Sequence, residues 1–85
     1  MPAPTPPVDP TELAGIPNRE QVLVLEWWWE EEIATMSYVD GEILTIPIGR
    51  ATAFALAESI FGADRLPEDL DAGRGLRWTH FSKLT

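Results

Sequence analysis

The sequence predicts a small α+β fold, in which an antiparallel sheet of two to four strands is covered by one helix. Three features predict it: a β-rich run that ends in three tryptophans, an Asp-Gly pair between two further β-rich runs, and an alanine-rich stretch over residues 50–61. The 85 residues fit one domain, 11–85, preceded by a flexible Pro-rich arm at 1–10. A chain of this length buries only about 60–65% of its unfolded surface, so the expected core is thin.

The N-terminal arm at 1–10 contains five prolines, which fix φ and remove backbone donors. We therefore expect an extended conformation there. The segment Asp9-Pro10-Thr11-Glu12 is typical of a helix start, because an Asp N-cap precedes a Pro at the first helical position. Gly15 follows closely, so this helix is expected to cover only 10–14.

The run from Gln21 to Glu32 allows two interpretations. As a strand, Val22-Leu23-Val24-Leu25 and the tryptophans that follow have high β propensity and apolar residues on both faces, as in a central strand. The alternative is a helix capped by Asn18. Its apolar stripe would consist of Val22, Leu25, Trp29, Ile33 and Met36. We favour the strand, because other apolar residues would surround the rest of the helix and make it poorly amphipathic.

The pair Asp40-Gly41 separates two β-rich runs, Ile33–Val39 and Glu42–Ile48. This pattern predicts a hairpin with a two-residue turn, in which both central residues have positive φ. In that register Val39 faces Glu42, Tyr38 faces Ile43, and Met36 faces Thr45. Pro47 cannot donate a ladder hydrogen bond, so the second strand is expected at an edge of the sheet.

The second half of the chain begins with the clearest helix signal. Arg50–Phe61 carries four alanines at alternate positions, and Gly62 is a natural residue to end the helix. Residues 63–75 are typical of a loop with a short turn. Leu76–Phe81 is expected to form a last strand, with Leu76 and Trp78 on one side.

The charge of the chain limits its partners. The net charge is −8, and residues 1–49 hold nine acids against one base, whereas 50–85 hold five of each. Such a field repels nucleic acids and anionic membranes and attracts basic surfaces, so we expect no binding to duplex DNA or to membranes. No apolar run reaches the roughly 18 residues of a membrane span. The absence of cysteine and of an export signal predicts a cytoplasmic protein.

The sequence is poor in catalytic groups. Without cysteine, thiol nucleophiles and thiolate metal sites are excluded, and His80 is the only histidine. Asp69, Asp71 and Gly73 partly match a calcium loop, but the remaining oxygen ligands of that loop are missing. We therefore expect no enzymatic activity, no metal and no cofactor.

The most unusual feature is a block of three tryptophans followed by three glutamates. In a strand, the first and third tryptophans point to one side and the second to the other, so one core cannot hold all three. One interpretation packs them in two core layers. The other is an aromatic anchor surrounded by carboxylates, since tryptophan is enriched in interface hot spots. The candidate partner-binding residues are Trp27, Trp28, Trp29, Glu30, Glu31 and Glu32. Four further acids are candidates to extend the same anionic surface: Glu20, Glu26, Asp40 and Glu42.

The segment 74–81 interleaves arginines with aromatic residues. Unlike the acidic block, this pattern favours an anionic partner. This pattern is compatible with stacking on single-stranded nucleic acid. It also fits a segment that folds back and neutralises part of the acidic half. We favour the second interpretation, because the whole-chain charge opposes nucleic acid.

The leading functional hypothesis is a non-enzymatic protein-binding module that docks the acidic tryptophan block on a basic protein partner. In size and charge the chain is comparable to small phage- or mobile-element-type inhibitors of nucleic-acid-handling proteins. One alternative is a structural or assembly subunit of a multi-copy, virion-like particle, with the arm 1–10 and the tryptophan block as interfaces. A second alternative is a small-ligand binder at an oligomer seam. A homodimer is expected, because oligomerisation compensates for a thin core.

Overall fold

A computed structural model describes residues 10–80 of the chain. The arm predicted at 1–10, apart from Pro10, and the predicted strand end at Phe81 lie outside the described residues. The described residues form two α-helices, a short 3₁₀ helix and five strands. In chain order they are α1 (Pro10–Leu13), the 3₁₀ helix (Arg19–Gln21), β1 (Val22–Trp28), β2 (Ile33–Tyr38), β3 (Ile43–Pro47), α2 (Arg50–Phe61), β4 (Glu68–Leu70) and β5 (Gly75–Thr79). The predicted α+β class is confirmed.

β1 lies at the centre of an antiparallel sheet whose strand order is β3-β2-β1-β5-β4. It is hydrogen-bonded to β2 on one side and to β5 on the other. A central strand has neighbours on both edges, so apolar side chains are tolerated on both of its faces. The strand interpretation is confirmed for Val22–Trp28, and the helix alternative is wrong.

The described sheet has one strand more than the sequence predicted. The additional strand is β4, in the segment interpreted as a loop, and it pairs with β5 at the edge of the sheet. Glutamate and aspartate are depleted in strands, so the sequence Glu-Asp-Leu carries no strand signal of its own. Backbone pairing to β5 places this segment in the sheet, and its short length and acidic side chains discourage further pairing at the edge.

A bulge in β1 determines which side chains face α2. The register of β1 against β2 shifts between Val22 and Val24. The extra residue places Val22 on the same face as Leu25 and Trp27, despite their odd separation from it. Each of these three side chains is at most 1% exposed, and together they form the centre of the core.

α2 covers this face of the sheet. It begins at Arg50 and ends at Phe61, as predicted, and Gly62 follows with a φ of 111°. Its buried side chains are Ala53, Leu56, Ala57 and Phe61. α1 packs against α2. Both helices therefore lie on one side of the sheet, and we call the opposite side the open face.

The predicted register of the β2–β3 hairpin is wrong by one residue. Ser37 pairs with Ile43 and Met36 with Leu44. The loop contains three residues, Val39–Gly41, and in it only Gly41 has a positive φ, of 92°. The Gly41 N–H donates to the Tyr38 carbonyl at 3.0 Å, which closes a turn of the kind that ends in a left-handed glycine.

This register change moves side chains between the two faces. A shift of one residue inverts a strand, because successive side chains point to opposite sides. Leu44 and Ile46 therefore pack against the core, whereas Ile43 is 66% exposed. Pro47 ends β3, which is an edge strand as predicted.

We expect Gly41→Val to lower the free energy of unfolding by about 2 kcal/mol, because a β-branched residue resists a positive φ. No heavy atom lies within 4 Å of the position a Cβ would take, so backbone strain is the only cost. Gly41→Asn is the matched variant, since asparagine tolerates this conformation, and it should cost clearly less. Urea unfolding of both variants checks this; equal costs would contradict the assigned turn.

Tyr38 makes stability depend on pH at the alkaline end. Its hydroxyl donates to the Pro17 carbonyl at 2.8 Å. Burial, and secondly the negative charge of Asp40, raise the pKa of the phenol above its ordinary value. The folded state therefore favours the neutral phenol, and its stabilising contribution is complete below the ordinary pKa near 10 and is lost as pH rises through the folded-state pKa.

We expect the free energy of unfolding to fall above about pH 10, and to fall less steeply in Tyr38→Phe. Tyr38 is the only tyrosine, so the ultraviolet absorbance of phenolate reports this group alone. A phenol that titrates identically in the folded and urea-unfolded chain would contradict the prediction.

Candidate interaction surface

The three tryptophans, two at the end of β1 and one directly after it, lie in different environments. Trp27 points to the covered face, where it is 1% exposed, and its indole Nε1 donates to the Ile48 carbonyl at 2.9 Å. This side chain belongs to the core. Trp27 was a candidate partner-binding residue, but in this fold it cannot contact a partner.

Trp28 lies on the open face, half-buried between neighbouring strands. It pairs with Ile33 on β2 and with Gly75 on β5. Its ring lies directly over Gly75: a Cβ there would be 2.7 Å from the Trp28 Cε3. An aromatic ring that covers a cross-strand glycine is a recurring device in sheets. Gly75 thus supports the Trp28 ring from below.

An apolar row crosses the open face at this position. The pairings that join adjacent strands define it as Pro47, Ile33, Trp28, Gly75 and Leu70. Neither helix covers the row. Sequence reasoning missed Ile33 and Gly75, because their relation to Trp28 depends on strand pairing and not on proximity in the chain.

The loop between β1 and β2 covers residues 29–32, and its glutamates, Glu30, Glu31 and Glu32, lie immediately beyond this row. All three are exposed. The Glu32 N–H donates to the Trp28 carbonyl at 2.9 Å, and the Glu32 carbonyl accepts from the Ile48 N–H at 3.0 Å. The loop backbone is therefore fixed to the sheet, and the carboxylates stand at a defined edge of the apolar row.

Trp29 is the first residue of the same loop, and its ring lies against the first turn of α2. It is 39% exposed and meets the Trp27 ring edge-on, with centroids 4.7 Å apart. The Arg50 guanidinium carbon lies 5.4 Å from the Trp29 centroid and 5.5 Å from that of Phe54. Both distances are within the range of cation–π attraction. Trp29 therefore already contacts a cation of its own chain.

The next row inward on the open face is charged. Arg77 on β5 lies between Glu26 on β1 and Glu68 on β4, at N–O distances of 3.9 and 3.0 Å. The pair with Glu26 joins the segment 74–81 to the acidic half of the chain, residues 1–49, as the favoured interpretation expects. Trp78 of the same segment is 2% exposed, so it offers no ring for stacking on a nucleic acid.

The expected extension of the anionic surface is wrong for three of its four residues. Asp40 and Glu42 belong to the β2–β3 hairpin, and Glu20 precedes β1. All three lie at the opposite end of the sheet from the loop 30–32. The length of β2, about 17 Å, separates the two ends. Of the four, only Glu26 lies on the open face near Trp28.

The other residues with possible catalytic or metal-binding chemistry, His80 and Asp71, make contacts within the fold. His80 Nε2 lies 2.8 Å from the Val22 carbonyl, and its ring meets that of Phe61 with centroids 4.7 Å apart. Asp71, from the partial calcium loop, forms an ion pair with Arg74 at 3.7 Å. Among residues 10–80, no group of three or more acids or histidines is placed to hold a metal ion.

Comparisons with protein families, with curated proteins and with solved structures find no match for this chain. Within residues 10–80, no helix has the length and apolar character needed to cross a membrane. The geometry of the open face and of the loop beside it is therefore the basis for a functional proposal.

Proposed function

We propose that this chain is a non-enzymatic protein-binding module that docks one end of its open face on a basic protein partner. The docking surface, which we call the acidic tryptophan surface, consists of Trp28, Ile33, Glu26 and the loop residues Glu30, Glu31 and Glu32. The observation that carries the proposal is the position of Trp28. It is a half-exposed aromatic ring on a sheet face that neither helix covers, with carboxylates on two sides.

The chemistry of this surface fits a basic partner. Aromatic anchors that become fully desolvated contribute much of the affinity at interfaces. Carboxylates around such an anchor attract a cationic surface and discriminate against anionic ones. Glu30, Glu31 and Glu32 form no ion pair with another of the residues 10–80, whereas Glu26 already faces Arg77. The three loop carboxylates are therefore available to a partner's arginines and lysines.

The sign of the charge on this surface indicates the partner class. A protein groove that binds a phosphate backbone presents rows of arginine and lysine. The acidic tryptophan surface would occupy such a groove and exclude the nucleic acid. The proposed activity is inhibition of a nucleic-acid-handling protein by occupation of its basic site.

We expect the triple variant Glu30→Gln, Glu31→Gln, Glu32→Gln to fold normally and to bind a basic partner at least about tenfold more weakly, equivalent to roughly 1.4 kcal/mol. The probe is a synthetic peptide of alternating arginine and leucine, titrated by calorimetry. The loss should appear mainly in the association rate if the carboxylates stand at the rim of the interface.

The matched control neutralises three acids at the other end of the sheet: Glu20→Gln, Asp40→Asn, Glu42→Gln. Both triple variants have the same net charge, so attraction by net charge alone weakens binding equally in the two. Site-specific docking weakens it only in the first variant. Equal losses, or no loss in either, would reject the acidic tryptophan surface as the docking site.

The assembly subunit remains a second candidate function, because a different surface of the chain presents an exposed apolar side chain, Leu13, beside a groove without ionisable residues. That surface is a groove between the two helices. It lies on the helix side of the sheet and includes none of the residues of the acidic tryptophan surface.

A further inference from the structure

Trp28 is the only tryptophan in the described part of the chain whose ring is accessible and has no cation over it. Trp27 and Trp78 are at most 2% exposed. Arg50 already lies over Trp29, 5.4 Å from its centroid. Trp28 is half-buried on the open face, and no arginine or lysine of the described residues lies over its ring. Because tryptophan attracts cations more strongly than the other aromatic side chains, this ring is open to a cation of the partner.

Glu26 places a carboxylate beside this ring. It lies two residues before Trp28 on β1, so both side chains stand on the open face, about 7 Å apart along the strand. Arg77 approaches the Glu26 carboxylate only to 3.9 Å, which is beyond hydrogen-bond length. Its hydrogen bond goes to Glu68 instead, at 3.0 Å. The Glu26 side chain is 31% exposed, so its carboxylate can accept hydrogen bonds from a second guanidinium.

Ile33 adds an apolar contact on the other side of the ring. It pairs with Trp28 across β1 and β2, so the two side chains are neighbours on the open face. Ile33 is half-buried and keeps part of its surface accessible. The methylene groups of an arginine side chain lie readily along apolar surface of this kind, while the charged group remains outside it.

A ring with a carboxylate beside it favours arginine over lysine. The guanidinium is planar, so it can stack on an indole while its N–H groups donate to a carboxylate at its edge. The lysine ammonium is compact and more strongly hydrated, and it has no flat face to stack. The chain makes both kinds of contact with its own arginines. Arg50 lies over Trp29, and Arg77 lies between two carboxylates of the open face.

From these observations we infer that the acidic tryptophan surface recognises an arginine side chain of its partner, with the guanidinium stacked on Trp28 and hydrogen-bonded to Glu26. The inference rests on the proposed function, because it names the group that the same surface binds. The loop carboxylates attract any cationic surface, whereas Trp28 and Glu26 distinguish a guanidinium from an ammonium group.

The test compares two peptides by calorimetry with the full chain. One is the alternating arginine–leucine peptide, and the other has lysine in place of every arginine, so length and charge are equal. We expect the arginine peptide to bind at least about fivefold more tightly. Trp28→Leu should reduce this ratio to about twofold or less, and Glu26→Gln should also lower it. Equal affinities of the unmodified chain for the two peptides would overturn the inference.

Two matched variants test whether the preference belongs to this position. Trp29→Leu removes the other accessible tryptophan ring, and Glu42→Gln neutralises a carboxylate at the opposite end of the sheet. Both should leave the ratio of the two affinities unchanged. A ratio that falls as much in Trp29→Leu as in Trp28→Leu would overturn the assignment to Trp28. Circular dichroism verifies that each variant is folded.

The loop variant, with glutamine at positions 30, 31 and 32, separates this inference from the proposed function. It should weaken binding of both peptides by similar factors and leave their ratio unchanged, because these carboxylates act through charge. If the loop variant weakens both peptides but the unmodified chain does not prefer arginine, the proposed function holds and the inference fails. If the preference for arginine depends on Trp28 but the loop variant has no effect, the inference holds and docking through the loop carboxylates fails. Binding of neither peptide would reject both.

Discussion

Replacement of Trp27 by alanine is expected to lower the free energy of unfolding by about 3–5 kcal/mol, the range for large-to-small substitution of a buried aromatic residue. The side chain is 1% exposed, lies on the central strand and is bonded through Nε1 to the Ile48 carbonyl. A chain of this length has a total stability of about 4–13 kcal/mol. The loss expected for Trp27→Ala is therefore a large fraction of the total stability.

Two companion variants separate the causes of this loss. Trp27→Phe keeps most of the apolar volume but removes the donor to the Ile48 carbonyl, so it should cost about 1–3 kcal/mol. Trp29→Ala removes a partly exposed ring with its contacts to Arg50 and Trp27, and should cost about 1–2 kcal/mol. Urea unfolding followed by circular dichroism gives all three values. Similar costs for Trp27→Ala and Trp29→Ala would contradict the placement of Trp27 in the core.

Residues with strong local signals were predicted correctly. The bounds of α2 follow from helix-forming alanines and a terminal glycine, which act within one turn of the chain. The strand character of Val22–Trp28 follows from β propensity together with the poor amphipathicity of the alternative helix. Pro47 marked an edge strand for a purely local reason, its missing N–H. Each of these predictions depends on interactions between residues that are close in sequence.

The errors concern features that only pairing between distant segments determines. The pair Asp40-Gly41 is compatible with a two-residue and with a three-residue loop, and packing of Leu44 rather than Ile43 on the core selects the second. β4 exists because β5 offers an unpaired edge, not because Glu68–Leu70 prefers a strand. The bulge that aligns Val22 with Leu25 likewise depends on the pairing with β2.

The candidate site was predicted in composition but not in arrangement. The block from Trp27 to Glu32 was recognised from its residue types, and the alternation of a strand already required that Trp28 oppose its two neighbours. The alternation does not predict which of the two faces α2 covers. Burial of Trp27 and exposure of Trp28 follow from the side on which the helix packs. The partner-binding set therefore loses Trp27, and also Trp29, which contacts Arg50 of its own chain, and it gains Ile33 and Glu26.

Gly75→Val is expected to lower the free energy of unfolding by about 3 kcal/mol, at the upper end of the usual cost of overpacking. An added Cβ would stand 2.7 Å from the Trp28 Cε3 and 3.1 Å from the Trp27 carbonyl oxygen. The central strand and its carbonyl cannot move without disturbing the ladders to β2 and β5. The Trp28 ring must therefore leave its position over residue 75.

A double-mutant cycle with Trp28→Leu tests this cause. Leucine has no ring over residue 75, so the cost of Gly75→Val in that background should fall by at least about 1 kcal/mol. Displacement of the Trp28 ring should also weaken binding of the arginine–leucine peptide by about tenfold in the single variant, under conditions where it remains folded. If Gly75→Val costs the same with and without the tryptophan, the ring does not lie on the glycine, and the anchor of the acidic tryptophan surface is misplaced.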